Sequence, residues 1–337
     1  MQNFLDPAIL FFVFGVFAGL VRSNLEIPAA LSRFLSLYLL MALGLKGGFA
    51  LAKSGLNAEV LTTLGCAVAL AVIVPLLAYQ VMRRLLDGFD AAAIAATYGS
   101  VSAVTFITTL QYLESRGQAY GGHMAAAMAL MESPAIILAV LLANRLRQQS
   151  AVVPAGGVVM AGNGTLALGA GPARVPLGHL LHESFTDGAQ LLLLGAMLIG
   201  MLTGAQGEAV LAPFSVDLFK GMLSFFLLDM GLTAARQLAQ LGRPSPWLLV
   251  YAVAGPLLHA SLALGLAWLL GIEPGNGTLL MVLAASASYI AVPAALRFAI
   301  PEARPALYIG LSLGVTFPFN ILLGIPLYAS VARSLLA

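Results

Sequence analysis

Hydroxyl side chains occupy the middle of two apolar stretches, residues 96–109 and 284–297, where a membrane-spanning helix would ordinarily hold leucine. They are Ser100, Ser102 and Thr105 in the first stretch and Ser286 and Ser288 in the second. Such hydroxyls, together with the free amides at a helix N-terminus, can replace the water shell of a small oxyanion. We therefore predict these five as substrate-binding residues. The alternative is that small hydroxyl residues simply let helices pack closely and bond back to carbonyls.

Both stretches also contain residues that disfavour a continuous helix, such as Gly99 in the first and Pro293 in the second. Unwound backbone at membrane depth is tolerated only where it is buried in protein or lines a watery cavity, and there its amides and carbonyls can contact a solute. The pattern predicts two helices interrupted near mid-membrane, with a binding site between them.

The composition requires a membrane to cover the apolar surface of this chain. Hydrophobic residues make up 60% of its 337 residues and charged residues only 9%, with a mean hydropathy of +0.96. A net charge of +2 is too small to indicate a nucleic-acid partner. Cys66 is the single cysteine, so a disulfide framework and a thiolate metal site are excluded. We predict an all-α, multi-pass protein that is not an enzyme, since nucleotide-binding and nucleophile motifs are absent.

Ten apolar segments have the length of a membrane span. They lie near 7–21, 32–52, 57–84, 91–112, 119–143, 187–205, 213–236, 246–270, 277–297 and 305–331. A Gly-, Ala- and Pro-rich stretch in the middle divides them five and five. We predict a first repeat at 1–147, a linker at 148–184 and a second repeat at 185–337.

The two halves repeat each other at a nearly constant offset. Leu43-Gly44-Leu45 recurs as Met230-Gly231-Leu232 at an offset of 187, and Glu114-Ser-Arg116 recurs as Glu302-Ala-Arg304 at 188. Five spans are an odd number, so the second copy must enter the membrane from the opposite side. The sequence therefore predicts a ten-helix inverted repeat, which places the two interrupted helices at matching depth.

Charged residues inside apolar segments are further candidates, because each costs about 2.5 to 3.5 kcal/mol at the membrane centre on insertion scales. Glu132 is the exact repeat mate of Asn320 at an offset of 188. With Thr316 these two form a predicted cation-binding group, since a sodium ion takes oxygen ligands. We expect no cofactor other than sodium as a coupling ion.

Lys46 and Asp229 are predicted to form a charge pair. The repeat aligns Lys46 with Thr233, which lies one helical turn from Asp229. The pair would be either a buried ion pair or a fixed ammonium that takes the place of a cation. Alternatively, each side chain extends towards the membrane surface from near its helix end.

Basic residues are distributed unevenly between the loops. One side collects eleven of the sixteen, including Arg83, Arg84, Arg145 and Arg147. By the positive-inside rule this side is cytoplasmic. We therefore expect both termini outside and the linker in the cytoplasm.

Inverted repeats and paired interrupted helices are typical of secondary transporters. Several motifs carry a closer resemblance, above all Tyr98-Gly-Ser-Val-Ser-Ala-Val-Thr105, Met131-Glu-Ser-Pro-Ala135 and Val292-Pro-Ala-Ala-Leu-Arg297. In order and spacing the chain resembles the sodium-dependent bicarbonate transporters of cyanobacteria and their bacterial relatives. The resemblance implies core and gate bundles, a trimer, a small anion bound at the interrupted helices with sodium nearby, and in some relatives a PII-like cytoplasmic regulator.

The chain departs from the family pattern at the predicted site. Tyr289 stands where the family has a carboxylate, Val104 replaces a serine, and Glu132 replaces an aspartate. Sodium-dependent bicarbonate uptake is the expected function. Two alternatives stay open: a transporter of the same fold for another small anion or carboxylate, with proton coupling or none, and a membrane sensor that does not transport.

Overall fold

The computed structural model describes residues 6–55, 57–151, 188–242 and 244–337. Within these ranges the regular structure is entirely helical. The helices are α1 Pro7–Leu20, α2 Ala29–Ser54, α3 Ala58–Met82, α4 Gly88–Gly99, α5 Ala103–Ser115, α6 Met124–Ala151, α7 Gly188–Ala212, α8 Phe219–Gln240, α9 Pro246–Leu269, α10 Pro274–Ala285, α11 Ala291–Ala299, α12 Pro305–Leu311 and α13 Ile325–Leu336. π-Helical turns at Ser312–Thr316 and Asn320–Gly324 join α12 to α13.

Seven helical segments in the described ranges are long and apolar enough to cross a membrane, and α1 and α10 are shorter apolar helices. The prediction of an all-α, multi-pass membrane protein is confirmed. Helix α6 continues through Ala151, into the first residues of the predicted linker. The rest of that linker, 152–184, lies outside the described residues.

The two predicted helix interruptions are confirmed. Helix α4 ends at Gly99 and α5 begins at Ala103, while α10 ends at Ala285 and α11 begins at Ala291. Ser100 and Ser286 are the residues that follow α4 and α10, and both have extended backbone. Each interruption therefore separates two short helices inside one segment of membrane-spanning length.

Two helix pairs form close glycine crossings: α1 packs against α8, and α2 packs against α7. A Cβ atom on Gly15 of α1 would lie 2.3 Å from the Leu228 carbonyl oxygen, and one on Gly48 of α2 would lie 2.1 Å from the Met197 carbonyl oxygen. Such distances leave no room for a side chain, so glycine permits the backbones to approach. The two pairs also contact each other through α2 and α8, so these four helices pack together as one bundle.

Ion pairs tie the start of α4 and the end of α6 to the segment between α11 and α12. Asp90 is buried and accepts hydrogen bonds from the Arg304 backbone amide at 2.7 Å and from its Nε at 2.6 Å. Arg147 donates to both carboxylate oxygens of Glu302, at 2.8 and 2.7 Å, and to the Ala299 carbonyl at 3.0 Å. These bonds fix the end of α11, one of the helices that begin at an interruption.

The Arg147–Glu302 pair predicts a loss of stability in acid. Glu302 lies in the loop between α11 and α12. Hydrogen bonding from Arg147 lowers the pKa of Glu302 below its ordinary value. The stabilisation is therefore present above the unfolded-state pKa of about 4.3 and is lost as the pH falls through the lowered folded-state pKa. We expect thermal unfolding in detergent between pH 7 and 3 to show this loss. Glu302→Gln should flatten that part of the pH profile; an unchanged profile would contradict the assignment.

Candidate functional site

A small cavity lies where the two interruptions meet. Its volume is about 70 Å³. The first interruption contributes Ser102, Ala103 and Val104, and the second contributes Ser288, Tyr289, Ile290 and Ala291; Ser36, Leu40, Met128, Glu132, Ala189, Gln190 and Leu193 are on the remaining walls. The cavity therefore brings together three of the predicted site residues, Ser102, Ser288 and Glu132.

Two helices begin at the cavity. Helix α5 starts at Ala103 and α11 at Ala291, and both residues line the wall. The amides of a first helical turn lack intrahelical partners, and the helix dipole adds a partial positive charge there. Two helix N-termini at one small cavity create an environment that favours a negatively charged group.

Hydrogen bonds hold the two interruptions against each other. The Ser288 amide donates to the Thr97 carbonyl at 2.8 Å, and the Ser102 amide donates to the Ser286 hydroxyl oxygen at 3.0 Å. Ser286 in turn donates to the Leu283 carbonyl at 3.0 Å. Backbone groups released by one interrupted helix are thus satisfied by the other, which fixes the shape of the cavity.

Ser102 occupies the N-cap of α5. Its hydroxyl oxygen accepts a hydrogen bond from the Thr105 amide at 3.2 Å and another from the Thr105 hydroxyl at 3.0 Å. Thr105 is buried and supports Ser102 rather than lining the cavity. Ser100 and Ser286 are likewise absent from the wall; Ser286 joins the interruptions. Of the five predicted substrate-binding residues, the structure brings Ser102 and Ser288 to the cavity.

Glu132 is the only carboxylate among the described residues that line the cavity. It lies on α6, and its Oε2 accepts a hydrogen bond at 2.8 Å from the Gln190 side chain of α7. Arginine and lysine are missing from the described part of this wall. The fixed charge at the cavity is therefore one carboxylate, opposed by two helix dipoles.

The structure does not bring Thr316 and Asn320 to Glu132's cavity. Thr316 donates to the Ala252 carbonyl at 2.6 Å and lies 2.7 Å from the Tyr98 hydroxyl. Asn320 donates to the Ala285 carbonyl at 2.9 Å, directly before the second interruption. Both residues satisfy backbone groups and hydroxyls behind the interruptions. The sequence offset predicts only that Glu132 and Asn320 are equivalent positions, and equivalence does not require contact.

The predicted pair of Lys46 and Asp229 is wrong. The Lys46 ammonium lies 3.2 Å from Glu114 Oε1 and 4.4 Å from the centre of the Phe219 ring, whereas Asp229 accepts a hydrogen bond from Ser32. Ser32 and Lys46 are fourteen residues apart on α2, roughly 21 Å at 1.5 Å per residue. Lys46 and Asp229 therefore lie at positions far apart along the axis of α2.

A double-mutant cycle tests the partners that the structure assigns. We expect Lys46→Met and Glu114→Gln to be coupled by up to about 1 kcal/mol in unfolding free energy, the range of partly exposed ion pairs. Lys46→Met and Asp229→Leu should be additive within about 0.5 kcal/mol, as for distant sites. Coupling in the second cycle but not in the first would restore the pair predicted from the sequence.

Sequence reasoning missed Gln190 and Ser36, which reach the cavity from α7 and α2. Gln190 is buried although it lies in an apolar segment. A buried amide in such a segment needs a hydrogen-bond partner, which was the available signal. Ser36 is a small hydroxyl residue like many others in these helices, so its type gave no comparable signal.

Comparison with known proteins assigns the chain to a family. The family model described as the Na+-dependent bicarbonate transporter superfamily matches residues 7–333, nearly the whole chain. The chain belongs to this superfamily. No curated protein matches it significantly. Membership agrees with the apolar helices and indicates a transport role for this multi-pass protein.

Proposed function

We propose that this superfamily member is a secondary transporter that takes up a small inorganic anion, bicarbonate, together with a cation. The observation that carries the proposal is the cavity of about 70 Å³ between the two interruptions. Two helix N-termini and the hydroxyls of Ser102 and Ser288 offer donors to an anion there, and Glu132 offers a carboxylate to a cation.

The size of the cavity favours a small substrate. A water molecule needs about 10 to 15 Å³ in this measure, so the cavity has room for roughly five such groups. Bicarbonate has four non-hydrogen atoms. Larger carboxylates would require the walls to move apart, which favours bicarbonate over them.

Charge balance favours a coupled cation. An anion close to Glu132 would be repelled by an ionised carboxylate in a poorly hydrated site. A sodium ion beside Glu132, or a proton on it, removes that repulsion. Because Tyr289 stands in place of the family's carboxylate, Glu132 is the one acidic side chain in the described wall. A single carboxylate can also be neutralised by a proton, so proton coupling is the second candidate.

The architecture that we propose is a ten-helix, five-plus-five inverted repeat. Gly44 and Gly231, which the repeat aligns, occupy equivalent crossings: Gly44 contacts α7 at Leu193 and Ala196, and Gly231 contacts α1 at Phe12 and Gly15. Equal crossings at aligned positions support two copies of one unit related by a pseudo-two-fold axis. We further propose that the pairs α1–α8 and α2–α7 form the gate bundle.

The membrane placement stays a proposal that rests on the basic residues. The positive-inside rule places both termini outside a bacterial inner membrane and the linker in the cytoplasm. A homotrimer and a PII-like cytoplasmic regulator stay predictions from the family.

Uptake of labelled bicarbonate into proteoliposomes tests the proposal. We expect accumulation with an inward sodium gradient, and a proton gradient in its place tests the second candidate. Uptake with neither gradient, at the same rate, would indicate uncoupled transport. Failure of bicarbonate to enter under any gradient, with intact protein in the bilayer, would contradict the proposed substrate.

A further inference from the structure

Tyr289 is buried at the second interruption. Its side chain is 8% exposed and lines the cavity. The ring packs edge-on against Phe317 with 5.1 Å between ring centres, and Phe317 packs in the same way against Phe12 of α1 at 5.4 Å. Phe317 therefore contacts the Tyr289 ring on one side and is itself backed by Phe12, which restricts the orientations open to the Tyr289 ring.

The Tyr289 hydroxyl has no hydrogen-bond partner of ordinary geometry among the described residues, although it is buried. It faces the side chain of Ser102. A buried hydroxyl without a partner loses its hydrogen bonds to water without replacement, which destabilises the folded protein. Such a group in a native structure calls for an explanation, and a role in binding a ligand at the cavity is one.

The hydroxyls of Tyr289 and Ser102 have more hydrogens to donate than acceptors to receive them. A hydroxyl has one hydrogen to donate and two lone pairs to accept. The Ser102 oxygen already accepts two hydrogen bonds, from the amide and the hydroxyl of Thr105. It therefore has no lone pair left for Tyr289. If the Ser102 hydroxyl donates to the Tyr289 oxygen, the hydrogen of the Tyr289 hydroxyl still lacks an acceptor. If Ser102 does not donate to Tyr289, the hydroxyl hydrogens of both residues lack an acceptor.

We propose that Tyr289 is a substrate-binding residue whose phenol donates a hydrogen bond, beside Ser102, to an oxygen of the bound anion. This inference rests on the proposed function and deepens it by naming a selectivity residue. Oxygen atoms of an oxyanion offer directed lone pairs to two neighbouring donors, whereas a halide has neither the shape nor the spread of acceptors. The site should therefore select oxyanions over halides.

Tyr289→Phe removes the hydroxyl and keeps the ring between its neighbours. We expect the KM for bicarbonate to rise about tenfold or more, which is the loss of one hydrogen bond to a charged group. Tyr251→Phe is the matched control, because that buried hydroxyl also lacks a partner in the described structure but does not line the cavity. The control should leave the KM unchanged.

A competition panel on the unaltered protein tests the same claim without any variant. Formate and nitrite should inhibit bicarbonate uptake more strongly than chloride and bromide. An unchanged KM in Tyr289→Phe, an equal KM increase in Tyr251→Phe, or halides that compete as well as oxyanions would overturn the role of Tyr289 while bicarbonate transport stands. Absence of anion uptake by the unaltered protein would overturn the proposed function and this inference together.

Discussion

Glu132→Gln is expected to abolish most of the cation dependence of transport while the protein still folds. The substitution keeps the shape of the side chain and its ability to bond to Gln190, but it removes the one carboxylate in the described cavity wall. Without that charge a sodium ion has no counter-charge and a proton has no acceptor. We expect uptake driven by a cation gradient to fall by a factor of ten or more. Removal of a carboxylate from the protein surface should change this uptake far less.

Glu208→Gln is the control for that experiment. Glu208 pairs with Lys53 at 2.7 Å, and both side chains are largely exposed. The Glu208→Gln substitution removes one carboxylate that is not part of the cavity wall, so its effect on coupling should be small. A Glu132→Gln protein with an unaltered response to sodium and to pH would assign Glu132 a packing role.

Ser102→Ala should produce the second large effect, a rise in the KM for the anion of about tenfold or more. The reason is the loss of a donor to a charged group, worth roughly 1.5 to 3 kcal/mol. Because Ser102 also caps α5, the variant should lose about 1 kcal/mol of stability. Thr105→Val should raise the KM less, since Thr105 acts through Ser102.

Ser312→Ala controls for loss of a buried serine hydroxyl. Ser312 is fully buried and donates to the Tyr308 carbonyl at 2.7 Å, away from the cavity wall. It should leave the KM unchanged. If Ser102→Ala lowers stability by the expected amount and transport keeps its affinity, Ser102 is a helix cap and not a ligand.

The sequence predicted the elements of this site better than its contacts. Hydroxyl residues within apolar segments, together with Gly99 in the first and Pro293 in the second, located the two interruptions. It could not separate Ser102 and Ser288, which line the cavity, from Ser286, which joins the interruptions. Those roles depend on how the two helix ends cross, and crossing is a property of tertiary packing.

The repeat offset was misleading about contacts. It aligned Lys46 with the turn that holds Asp229, yet Lys46 pairs with Glu114 and Asp229 with Ser32. In an inverted repeat, aligned residues are related by the pseudo-two-fold axis and lie on opposite sides of it. In such an arrangement only residues close to the axis would meet their equivalents.

Protection of an engineered cysteine tests most directly whether the anion binds between the interruptions. In a Cys66→Ala background, Ala291→Cys places a thiol in the cavity wall, and Gly221→Cys places one outside it. The rate of reaction with a small charged thiol reagent is then measured with and without bicarbonate and sodium. We predict that substrate slows modification of Ala291→Cys several-fold and leaves Gly221→Cys unchanged. An unchanged rate at Ala291→Cys, in protein that still transports bicarbonate, would place the anion elsewhere.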